Sequence, residues 1–370
     1  MTTQSNIQNA VGDLTLQSGF PTVSTGGITN NYAVNPNYRL GYVQIRNLDI
    51  QQQIRPTLLL NIDYTGTKGT DLDILEAPNR TANGILIPTA QAFTYENSVG
   101  DSEANAGSVR LRKRLSNGFS IGGIYTFSKS IDDASSIGAG ATSGSGRAGL
   151  GAGGTAAGGG GGSSGGGSAS VAQNALDLSA ERGLSSFNQT QRLTADYLWE
   201  LPFGHDKRWL TGNTPARAIL GDWQWSGDWT IASGLPFTPR FVGSPCNLNT
   251  GTNGTLRPNV VAGESISLAS RSIGEWFNTA AFDPTPPCGS YGDARRNSII
   301  GPGTLLFDMA FTKVIPLKES RVLEFRGQAT NIFNMPNYTS IDTSVTSPTF
   351  GRVTAVGAMR QITMTARFRF

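Results

Sequence analysis

Histidine occurs once and cysteine twice in 370 residues, which leaves little material for a metal centre or a histidine-based catalytic set. His205, in PFGHDKR, has no second histidine or cysteine beside it and reads as a turn residue. Charged residues make up 15% of the chain, and a net charge of +3 is too small to argue for a nucleic-acid partner. No run approaches the roughly 18 consecutive apolar residues of a spanning helix. The opening MTTQSNIQNAVGD has no basic region followed by an apolar run, so no secretory signal is visible there. GGGGG at 158–162 is preceded by no strand and followed by no GK[ST], which excludes a phosphate cradle. Asp132 and Asp133 are adjacent, whereas a calcium loop needs more oxygen ligands at alternating positions. No nucleophile, base and acid set can be assembled. The chain is therefore expected to be no enzyme and to carry no cofactor or metal.

Alternation is what the sequence has instead. In QITMTARFRF (361–370), Ile362, Met364, Ala366, Phe368 and Phe370 fall on one face, and Gln361, Thr363, Thr365, Arg367 and Arg369 on the other. RVLEFRGQATNIF (321–333) sets Leu323, Phe325, Gly327, Ala329 and Phe333 against Glu324, Arg326, Gln328 and Thr330. The same period of two runs through 306–315, 223–231, 191–201, 118–127 and 58–66, and less cleanly through 39–54 and 108–115. That makes about nine strands, most near the 9–11 residues that a tilted membrane strand requires.

Short connections near 53–56, 115–118 and 316–320 alternate with long polar ones at 67–107, 128–190, 235–304 and 334–359, with 202–221 intermediate. Short turns at one end and long loops at the other are the build of an outer-membrane barrel. Five of the six tryptophans lie between Trp199 and Trp229. Trp199, Trp209, Trp223, Trp225 and Trp229 are thus candidates for an interfacial aromatic girdle. The expected fold is all-β: an antiparallel transmembrane meander, part of a barrel, with long extracellular loops. Residues 137–170, which contain GAGGTAAGGGGGSSGGGSAS, are expected to be a disordered loop, because they cannot bury enough apolar surface to fold. Residues 1–37 read as a polar loop segment.

The ordered string YTGTKGTDL (64–72), GFSIGGIYTFSKSIDDA (118–134), RLTADYLWELPFG (192–204), GDWQWSGDWTIASGLPFTP (221–239), RRNSIIGPG (295–303) and FRGQATNIFNMPNY (325–338) resembles a known family. It is similar to the C-terminal barrel of TonB-dependent outer-membrane receptors, in particular the Oar-like group, over roughly residues 38–370. The resemblance implies a bacterial outer-membrane location, a barrel of about 22 strands around a plug, and uptake of scarce nutrients with energy delivered by the TonB complex. It implies outer-membrane lipid and the barrel-assembly machinery as partners, the latter reading a terminal strand that ends in Phe368 and Phe370. Neither plug nor TonB-contacting segment is visible. An odd strand count that starts outside suggests that further strands precede these and that the chain is a fragment. A surface adhesin or structural barrel is the alternative.

Two local expectations complete the reading. Cys246 and Cys288 fall in one outside loop and are a candidate disulfide in an oxidising compartment, with two free thiols as the alternative. Asp308, Glu324, Arg326, Arg367 and Arg369 should face the lumen. If Leu323 lies opposite Phe370, Glu324 bridges Arg367 or Arg369 while Asp308 draws Arg326 away.

Overall fold

A computed structural model describes residues 31–87, 93–133, 171–204, 207–212, 215–242, 256–317 and 321–370. Among them nine long strands form one antiparallel meander in sequence order: β1 Tyr42–Arg55, β2 Leu58–Glu76, β3 Phe93–Ser116, β4 Phe119–Asp132, β5 Gln191–Glu200, β6 Trp223–Ala232, β7 Thr304–Pro316, β8 Val322–Thr330 and β9 Gln361–Arg369. The sheet is open, and β1 and β9 are its two edges. The expected segment 137–170 lies outside the described residues. Asn31–Val34, within the segment read as a loop, pairs in parallel with the outer end of β3.

Alternation places the side chains as the sequence implies. One continuous cross-strand row runs Phe119, Trp199, Trp225, Phe311, Gly327, Met364. Its neighbours on that face are Ile62, Val109, Tyr197, Trp229, Phe307 and Phe325, and the opposite face carries the polar set. β5 and β6, at 10 residues each, have the length of a tilted membrane crossing. At one end the turns are tight. Asn117 and Gly118 between β3 and β4 both have positive φ, 53° and 76°, the asparagine–glycine pair that matches strand twist. By the barrel rule that end is periplasmic.

Three expectations need correction. Residues 67–107 are not mainly loop: β2 continues to Glu76 and β3 starts at Phe93. Above the membrane both faces of a strand are wet, so the ladder persists without apolar alternation. Strand 321–333 stops at Thr330, because Asn331 turns into the left-handed region (φ 49°). Phe333 therefore leaves the sheet and packs its ring 5.3 Å from Phe307. The register of the last hairpin puts Leu323 opposite Phe368, two residues from the expected Phe370.

The buried apolar clusters lie at the outer end, not in the wall. Phe277, Ala281, Phe282, Ala294, Ile299 and Ile341 form one; Phe241, Leu256 and Val345 form another. A third joins Ile74, Leu75 and Ala77 at the top of β2 to Val171 and Ala172. The long outer connections thus fold into a cap.

Candidate functional site: the polar face and the outer cap

Asp308, Glu324, Arg326, Arg367 and Arg369 share the polar face. Glu324 lies opposite Arg367, and Arg369 reaches it along the diagonal, with Nη2 donating to Oε2 at 3.0 Å. Arg326 stands between Thr312 and Thr365, so no arginine faces another across the hairpin. Asp308 is not near Arg326. Its strand neighbour is Asp228, which in turn faces Asp196. The backbone of Asn331 donates to Asp308 at 2.8 Å. Three aspartates therefore stand in one row across β5, β6 and β7. Gly122 continues the row on β4 and gives Asp196 room, since a Cβ there would sit 2.7 Å from Oδ1. The sequence shows each aspartate at mid-strand on a polar face. Only register brings them together, and register was not legible.

Four of the five singled-out tryptophans, Trp199, Trp223, Trp225 and Trp229, project from the apolar face; Trp225 stacks on Phe311 at 5.5 Å. Trp209 sits in the β5–β6 connection, its ring 5.5 Å from Phe203. Phe368 and Phe370 stack on each other at 6.1 Å, and Phe370 is 93% exposed. Cys288 is disulfide-bonded. Cys246 and His205 lie outside the described residues.

The cap is locked by polar groups that sequence reasoning did not single out. Arg257 donates to Glu181 at 2.8 Å, with both side chains at most 4% exposed. Arg296 pairs with Asp132 at the top of β4 and also donates to the Glu181 carbonyl at 2.7 Å. Gln173 bridges the two segments: its Oε1 accepts from the Arg257 backbone N–H at 2.6 Å, and its Nε2 donates to the Gly292 carbonyl at 3.0 Å. A Cβ at Gly292 would overlap the Arg257 carbonyl, so the approach requires glycine. Asp132 and Asp133 are thus held by arginines, Asp133 by Arg182 at 3.6 Å. Burial pushes the Asp133 carboxyl up, against the opposing pull of the Asp101 backbone and Arg182. In the last outer loop partial burial would raise Asp342. Hydrogen bonds from Ser347, Thr349 and Ser344, and the Arg240 charge, outweigh it and hold that carboxyl below the usual range. No sequence motif announces these pairs, because the partners lie 76 and 164 residues apart.

No curated protein sequence matches the chain. Among solved structures, it is similar to the outer membrane transporter YddB from Escherichia coli, at 9% identity and a TM-score of 0.46, covering 89% of this chain and 32% of that one. The FrpB iron transporter from Neisseria meningitidis aligns at 10% identity and a TM-score of 0.42, over 90% of this chain and 32% of that one. P. aeruginosa FpvA, solved with heterologous pyoverdines, aligns at 11% identity and a TM-score of 0.40, over 88% and 26%. The chain spans about a third or less of the length of these transporters. A model described as the outer membrane beta barrel domain matches residues 1–363, and the chain belongs to that family of bacterial outer-membrane proteins.

Proposed function

We propose that residues 38–370 are the C-terminal part of the wall of a TonB-dependent receptor of the Oar-like group, which takes up a nutrient through a plug carried elsewhere in the full protein. The observation that supports this most is the open edge geometry. β1 and β9 run in the same direction, so they cannot close on each other in antiparallel fashion. Single-chain bacterial barrels have even strand numbers, and an odd number of further strands between β9 and β1 would complete such a wall. The polar face then lines the lumen, the tryptophans on the opposite face form the girdle, and the folded cap stands over the outer mouth. Cys246 is the expected partner of Cys288 within that cap.

Binding to a purified TonB C-terminal domain tests the reading. The full gene product should bind it, and residues 38–370 alone should not. A full gene product without plug or TonB binding would instead mean an adhesin or structural barrel. The terminal aromatics serve assembly in this reading, because among the described rings Phe370 touches only Phe368 and, at 93% exposure, contributes little to the folded wall. Phe370→Asp in the full protein should cut its outer-membrane level while leaving the melting of whatever does assemble unchanged. Wild-type levels on a membrane immunoblot would remove that role.

A further inference from the structure

Ahead of β1 the chain crosses its own sheet. Asn31–Val34 pairs in parallel with Phe93–Glu96 of β3, on the edge of β3 that faces away from β2. Residues 35–41 must then pass over β3 and β2 to reach Tyr42, which starts β1 opposite Thr70. This strap lies close against the strands beneath it: a Cβ at Gly41 would sit 2.8 Å from the Asp71 carbonyl oxygen. Its polar ties reach one short stretch of β3. The Asn35 N–H donates to the Glu96 carbonyl at 2.9 Å, and the Arg39 N–H donates to Ser98 Oγ at 2.8 Å. Asn35 Nδ2 donates to Asn97 Oδ1 at 2.9 Å, and Asn97 Nδ2 donates in turn to Glu76 Oε1 at 3.1 Å.

The β2–β3 ladder is irregular at that stretch, which stands above the membrane. Leu72 pairs with Gly100 and Ile74 with Asn97, so Asp73 opposes both Ser98 and Val99 at a bulge. The bulge brings the Asp73 and Glu96 carboxyl groups into a hydrogen bond with each other. An ionised carboxylate only accepts, so this contact requires a proton between the two. Partial burial and then the Glu96 charge push the Asp73 carboxyl up to about 6. Burial also pushes up Glu76, on β2 beside them, against the opposing pull of its Asn97 hydrogen bond. From the strap comes Tyr38, whose hydroxyl is pushed up by partial burial and by the Asp73 and Glu96 charges.

We propose that the strap 31–41 is a latch worked by the acidity of the outside medium, closed when Asp73 and Glu96 share a proton and released when both ionise. Two carboxylates held in contact at the bulge repel each other. The repulsion parts β2 from β3 at residues 96–98, where Asn35 and Arg39 are tied, and so loosens the footing of the strap. Because the folded Asp73 carboxyl lies above its ordinary value, its contribution to closure is full below that ordinary value. It is lost as pH rises through about 6. The latch needs only the outer ends of β1, β2 and β3 and stands apart from the transport reading.

Hydrogen exchange of the full gene product in micelles tests the latch, read on peptides covering 31–41 at pH 4.5 and 7.5 and corrected for intrinsic exchange rates. Protection of the strap should fall by about tenfold between the two, a figure that allows for water screening the exposed Asp73. Amides of β5 are the internal reference and should not change. D73N gives Glu96 a donor that does not titrate, so its strap should stay protected at pH 7.5, and E96Q should do the same with the roles reversed. Heat-modifiable migration confirms that each variant is folded. Equal protection of the wild-type strap at the two pH values, or a pH dependence that D73N retains, overturns the latch. So does loss of strap protection at both pH values in both variants, which would make the pair a structural contact only.

Discussion

At the scale of single residues the polar face shows how far an even-numbered error can travel. The expected register of the last hairpin is off by two, from Phe370 to Phe368 opposite Leu323. Because side chains alternate with period two, a slip of two keeps every residue on its face and changes only its partners. The faces of Glu324, Arg367 and Arg369 were therefore legible, and the Glu324–Arg369 contact survives as a diagonal rather than a direct pair. With the arginine side chain 60% exposed, the contact contributes about 0–1 kcal/mol. The aspartate row on the same face was illegible, because it depends on three registers at once. It carries a prediction with a definite sign. Like charges directly opposite each other destabilise a sheet, and Asp228 has one on either side. Asp228→Asn should raise the stability of the wall by about 0.2–1 kcal/mol, read from denaturant unfolding in micelles. A loss of stability would mean that the row is compensated by a bound cationic group.

Among elements, the sequence exposed the strands that cross the membrane and concealed the cap. Asn117–Gly118 pins the β3–β4 hairpin at Ser116–Phe119, and a one-residue shift between Lys113 and Ser116 sets the register of the rest of the ladder. The 331–360 connection imposes no such constraint, and that is where register failed. Alternation vanishes wherever both strand faces are wet, so the outer halves of β2 and β3 read as loop. The cap is held instead by buried ion pairs between residues distant in sequence, which leave no local pattern. Arg257→Ala strands Glu181 at 2% exposure without a counter-charge. Removing one partner of a buried pair typically costs about 3–5 kcal/mol. The cap should then become protease-sensitive while the heat-modifiable migration of the wall persists. If the wall unfolds as well, cap and wall are one cooperative unit. Acid should act on the last outer loop through Asp342. Its folded carboxyl is held below the ordinary value, so its contribution is present above that value and is lost as pH falls through the lower folded one. The melting difference between wild type and Asp342→Ala should be clear at pH 7 and should shrink as pH falls below the ordinary carboxylate range. A difference that persists undiminished at low pH would assign the effect to packing.

The whole molecule presents a surface that a membrane does not tolerate. β1 is exposed along all 14 residues, and β9 along all nine. Each edge offers a row of backbone groups to its surroundings. In hydrocarbon an unpaired N–H or C=O costs several kcal/mol, which is why only helices and closed barrels span bilayers. Two edges of this length outweigh the whole net stability of an ordinary domain, about 5–15 kcal/mol. They cannot cancel each other by antiparallel closure, since β1 and β9 both run from the outer end to the periplasmic end. An open wall of nine strands is therefore stable in lipid only when other strands cover both edges. Produced alone and refolded in micelles, residues 38–370 should give no heat-modifiable monomer. They should instead associate through the edges into species resolved by light scattering, and backbone amides of β1 and β9 should exchange faster than those of β5 and β6. A longer product that supplies further strands should migrate as a compact monomer with β1 and β9 protected. If the nine strands alone form a heat-modifiable monomer with both edges protected, they close by a parallel β1–β9 pairing, and the reading of the wall as part of a larger barrel is wrong.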